Sequence, residues 1–157
     1  MVQRYLSRVG RVVAVDTHTG LGAFGAAEVI LGVPKDSPDY RRALAIWGPT
    51  LVRTTVTGDS VSAHIEASLD LAIAEMLPGT EVTAVTLEFG TIPPLKVFKA
   101  LRDENWLHHH GGMKHSNARA LKTCLLRAFH PESGEWKASV WSKGRQIVEQ
   151  ALESLRP

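Results

Sequence analysis

The chain has 157 residues, 44% hydrophobic and 22% charged, with 18 basic residues against 16 acidic ones and one cysteine. That length suits a single domain over residues 1–157 with one core, and the near-balance of charge argues against nucleic acid or an anionic membrane surface as partner. Cys124 alone excludes an intrachain disulfide, no apolar run is long enough to span a bilayer and the N-terminus lacks a signal-peptide core, so a cytoplasmic protein is expected.

Residues 1–10 read as the tail of a helix leading into the first strand. Val12–Val15 is apolar and β-branched, ends in Asp16 and His18, and is turned by Gly20 and Gly22. This is the pattern of a buried strand in an α/β sheet. Ligands of open α/β sheets bind beyond the carboxyl ends of strands, which is where Asp16 and His18 fall. Ala26–Leu31 reads as the second strand, with Glu28 inside it. Ser37-Pro38 offers an N-cap followed by Pro at N1 and predicts a helix over Pro38–Trp47, stopped by Gly48-Pro49. Leu51–Thr57, rich in Val and Thr, suits a short strand. Asp59 or Ser60 is expected to cap a helix over Val61–Leu77, with Ile65, Leu69, Leu71, Ile73 and Leu77 on its stripe. Glu81–Phe89 is the clearest strand, and Glu88 lies at its carboxyl end as His18 does at the first. Three helices follow, over Pro94–His110, Asn117–Phe129 and Gly134–Leu155. The order predicts an α/β fold, a mostly parallel or mixed sheet flanked by helices.

Asp16 and His18 fit a metal-bound imidazole whose ring a carboxylate orients; they also fit an imidazole that caps a strand turn by bonding Asp16. Glu88, between Leu87 and Phe89, fits a general base acting on water, or a solvated or ion-paired glutamate. His108, His109, His110 and His115 resemble a metal cluster, but imidazoles closing a helix suit its free carbonyls, and no native site is expected there. Gly58-Asp59-Ser60 is similar to one serine-hydrolase nucleophile block, yet no Asp has His three residues on, which leaves capping. Cys124, among Leu121, Leu125 and Leu126, is read as core, and Trp106, Trp136 and Trp141 as packing residues. Arg53 and Arg102 read as surface charges, with carboxylate binding the alternative.

The run Val15-Asp16-Thr17-His18-Thr19-Gly20-Leu21-Gly22 with Phe24-Gly25 and Glu28, followed by Thr86-Leu87-Glu88-Phe89-Gly90-Thr91, resembles the two signatures of the DUF2817 group. Leu101-Arg102, Asn105-Trp106-Leu107 and Trp136-Lys137 are similar to it too. That group belongs to the zinc carboxypeptidase superfamily, with the succinylglutamate desuccinylase and aspartoacylase deacylases. The resemblance implies the C-terminal half of the zinc carboxypeptidase fold, His18 as a Zn²⁺ ligand with Asp16 behind it, and Glu88 as the catalytic glutamate. It also implies metal-assisted hydrolysis of a peptide or acyl-amino acid. The chain departs from the family at its other two ligands, which come from an upstream His-x-x-Glu. The residues three past each histidine here are Leu21, Ala67, Gly111, Gly112, Met113, Ala118 and Ser133. The family's Asn-Arg block is absent as well. The expectation is an incomplete, N-terminally truncated metallohydrolase domain, inactive alone and completed by a separate N-terminal half. The alternatives are a non-catalytic remnant or interaction module, a deacylase of acylated amino acids, and a rearranged site that recruits His108, His110 or His115. Truncation would expose Val12–Val15 as an apolar sheet edge.

Overall fold

A computed structural model describes residues 2–66 and 68–156. The elements in order are α1 (Val2–Leu6), β1 (Arg11–Thr19), β2 (Ala27–Leu31), α2 (Pro38–Trp47), β3 (Val52–Thr54), α3 (Leu69–Met76), β4 (Glu81–Phe89), α4 (Pro94–His109), a 3-10 turn at Gly112–Lys114, α5 (Ala118–Phe129) and α6 (Gly134–Ser154). They cluster into two compact units. The first holds Met1–His18, Ala27–Glu88 and Ser142–Pro157, and the second Thr19–Ala26 and Phe89–Trp141.

The first unit is built on a four-stranded sheet in the order β1-β4-β2-β3. The Glu81 N–H donates to Gly10 O, and the Gly20 N–H donates to Phe89 O. Bonds at both matching ends make β1 and β4 parallel. β2 and β3 are parallel too, with Val29 opposite Val52 and Leu31 opposite Thr54. β2 runs against β4, since the Gly90 N–H just past the end of β4 reaches Ala26 O just before β2. The sheet is therefore mixed, and the fold is α/β as the element order predicts. The period of two puts Val85, Leu87 and Phe89 on one face, each 1% exposed. Each such side chain stabilises the fold by roughly 1.5–3 kcal/mol relative to exposure. On the other face Val12 and Val82 pack with Leu77, against Val2 and Leu6 of α1 and Ile73 and Ala74 of α3.

α2 starts where its cap predicts: Ser37 Oγ accepts the Tyr40 N–H at 3.2 Å. It is tied down by Arg42, which donates to Thr83 Oγ1 and Val82 O, and by Trp47, whose Nε1 donates to Ile147 O at 3.0 Å. The helix expected over Val61–Leu77 is shorter. It runs only over Leu69–Met76, with Ser68 at its N-cap, and Ala67 lies outside the described residues. Upstream of it the backbone donors are taken by side chains. Asp59 Oδ1 accepts the Thr54 N–H, Glu28 Oε2 accepts the Val61 N–H and the Ser60 hydroxyl, and Ser60 Oγ accepts the Ser62 N–H. Asp and Ser compete with helix in this way, so neither Asp59 nor Ser60 caps one here. Ile65 and Leu69 of the expected stripe are 59% and 52% exposed.

In the second unit α4 packs on α5. Gly90 is its backbone hub: its carbonyl accepts the Gly25 N–H and Trp136 Nε1–H, each at 2.9 Å. A Cβ on Gly90 would lie 1.9 Å from Ala23 O. Trp136 is buried, as a packing residue should be, but Trp106 and Trp141 are 45% and 72% exposed. Cys124 is exposed rather than core. The buried positions of α5 are Ala118 and Ala128, and Cys124 is not one of them. No helix among the described residues is long and apolar enough to cross a membrane.

A candidate acid–base cavity on the first unit

β1 extends to Thr19, so Asp16 and His18 lie in the strand rather than in the turn after it. Two residues apart, they share a face, and His18 Nε2 meets Asp16 Oδ2 at 2.9 Å. With that N–H donating to the carboxylate, a neutral ring keeps Nδ1 as its acceptor. The register fixed at the two ends of the β1–β4 pair, carried along both strands, sets His18 beside Glu88 on that face. Both line one cavity of about 240 Å³. His18 is half-exposed at its mouth, and Glu88 is 6% exposed.

Residues 60–66 and the first turn of α3 cover the cavity. Thr86 and Ile30 come from the sheet, Ser62 and Ser68 from the chain before α3, and Leu69 and Asp70 from its first turn. The cover is pinned to the sheet by Glu28 of β2 through Ser60 and Val61. Asp59 pins its start and pairs with Lys35 at 2.6 Å. The hydrogen bond from the Lys35 ammonium holds the Asp59 carboxyl below the usual aspartate range, and Asp59 in turn raises Lys35.

Asp70 was not singled out by the sequence. It is 6% exposed, and its Oδ2 accepts the Gly32 N–H at 3.2 Å. The signal available was one carboxylate near the start of the otherwise apolar run Leu-Asp-Leu-Ala-Ile-Ala, which reads first as a helix-dipole partner. The other sequence candidates are occupied elsewhere. Arg53 clamps the turn after α2 through Pro49 O, Thr50 O and Val52 O, and Arg102 lies 3.6 Å from Asp103. His110 stacks on Trp106 at 4.6 Å and donates from Nδ1 to Trp106 O, while His115 Nδ1 accepts the Asn117 N–H.

The family described as "Protein of unknown function (DUF2817)" matches residues 1–143. The chain belongs to the DUF2817 family. No curated protein and no solved structure matches it. The two signature runs of this DUF2817 chain carry the two side chains that the register sets side by side. The donor set does not fit a complete catalytic zinc centre, which takes three protein ligands. Among the described residues, no three His, Cys, Asp or Glu side chains are grouped so as to hold a metal ion. His18 contributes one imidazole.

Proposed function

We propose that the first unit carries the acid–base part of a hydrolytic centre acting on an amide, either a peptide or an acyl-amino acid, as in the zinc carboxypeptidase and deacylase superfamily that the signatures resemble. The observation that supports this most is the lateral pairing of His18 and Glu88 in one solvent-reaching cavity. A carboxylate buried at the wall of a wet cavity can take a proton from water and return it to a leaving amine. Asp16 holds the His18 ring in one orientation and one tautomer, which leaves Nδ1 to act as donor atom. A zinc centre of the superfamily type would need further ligands from outside the described residues, and a separate N-terminal half is the source proposed. A second reading, a non-catalytic remnant of the fold, draws on the same shortage of donors.

The test is an assay of peptides and N-acyl-amino acids with Zn²⁺ present. The chain is tried alone and co-expressed with a polypeptide that supplies His-x-x-Glu. We expect turnover only for the complemented protein, lowered about 10²-fold or more by Glu88→Gln with bound zinc unchanged, and lost in His18→Ala together with the zinc. Full turnover in Glu88→Gln would sink the acid–base role. Complexes that form and load zinc but never turn over would favour the remnant.

A further inference from the structure

We infer that this same cavity takes an organic cation, an ammonium or guanidinium on an apolar stem, with Asp70 as its anchor. The inference rests on reading the cavity as the ligand site. Three carboxyl-bearing residues line it, Asp16, Asp70 and Glu88, and no Lys or Arg does among the described residues. Asp16 and Asp70 also both line a second, smaller cavity of about 110 Å³.

The independent observation is an orphan. Asp70 is more than nine-tenths buried. One of its oxygens is used by Gly32, but Oδ1 is buried and accepts no hydrogen bond among the described residues, and neither does Ser68 Oγ beside it in the cavity lining. A buried carboxylate oxygen without a donor is costly, and a ligand N–H meets that need directly. A bare metal ion does not, because the acidic groups are not clustered for one. They are spread along a cavity that holds several heavy atoms, with Ile30 and Leu69 on its walls to cover methylenes. A ligand carboxylate finds no Lys or Arg in that lining to pair with.

Calorimetric titration of the full chain at low salt tests this with three probes: Nα-acetyl-lysine amide, Nα-acetyl-arginine amide and Nα-acetyl-norleucine amide. The two cationic probes are expected to bind about tenfold or more tightly than the norleucine probe. Asp70→Asn keeps an oxygen for the Gly32 N–H and should abolish that gap, while the exposed Glu132→Gln should leave it intact. Should Asp70→Asn fail to fold by circular dichroism, Ser68→Ala and the salt dependence of the gap read the same contact. Equal binding of norleucine and lysine probes, or a gap that survives Asp70→Asn, overturns the inference. Cation binding without turnover in any complemented complex leaves this inference standing and removes the hydrolytic reading. Turnover indifferent to side-chain charge does the reverse.

Discussion

A carboxylate that bonds a backbone N–H and an ammonium together fixes chain that neither contact would fix alone. Asp59 does this with Thr54 and Lys35, and so sets where the cavity cover begins. Its carboxyl is depressed by the Lys35 hydrogen bond first, and also by bonds from Thr54 and Thr57. The stabilisation is therefore present above the unfolded-state value and is lost as pH falls through the lower folded-state one. We expect the Thr54 amide to exchange faster with solvent below about pH 4, as read by NMR, and Asp59→Asn to show that fast exchange already at neutral pH. With a third of the side chain exposed, the effect on global stability stays below about 1 kcal/mol. At this scale one short-range bond is legible in the sequence: Asp16 and His18 bond each other, since residues two apart on a strand share a face. It could not show that Asp59 and Ser60 serve β3 and Glu28 instead of a helix, because capping and long-range bonding use the same residue types.

Elements with local punctuation were legible, and those without it were not. Ser37-Pro38 and Gly48 bound α2 at the predicted residues, and Glu81–Phe89 is β4 throughout. In the part of the expected Val61–Leu77 helix up to residue 66 the apolar spacing suggests helix, but the bonds of Ser60 and Val61 to Glu28 hold the chain otherwise, as an unpacked helical stripe has little to hold it. At the end of β4 a single glycine ties several backbone segments together. Gly90 accepts from Gly25 and Trp136, and a Cβ there would run into Ala23 O. Gly90→Ala is therefore expected to destabilise the protein by more than about 3 kcal/mol, measured by urea denaturation. Stability within about 1 kcal/mol of the parent would mean that the Ala23 backbone gives way easily.

At the scale of the molecule, the open question is the β1 edge. β1 ends the sheet order, and its even-numbered residues turn their backbone groups to β4, as Gly10 and Gly20 do. The odd-numbered Val13 and Val15 turn theirs away, a template for pairing with another chain. We expect concentration-dependent self-association in analytical ultracentrifugation, reduced by Val15→Pro, which removes an outward N–H and spares the ladder to β4. A sharp monomer at every concentration would contradict this. The sequence alone determined the α/β class, the capped helix α2, the strand β4 and the two signature runs, because each rests on short-range periodicity or on residue types a few positions apart. Only the tertiary structure decided the mixed strand order, the cover that Glu28 holds down, and the meeting of Asp70 with His18 and Glu88 in one cavity. Those depend on register and on hydrogen bonds between residues far apart in the chain, which local pattern does not encode.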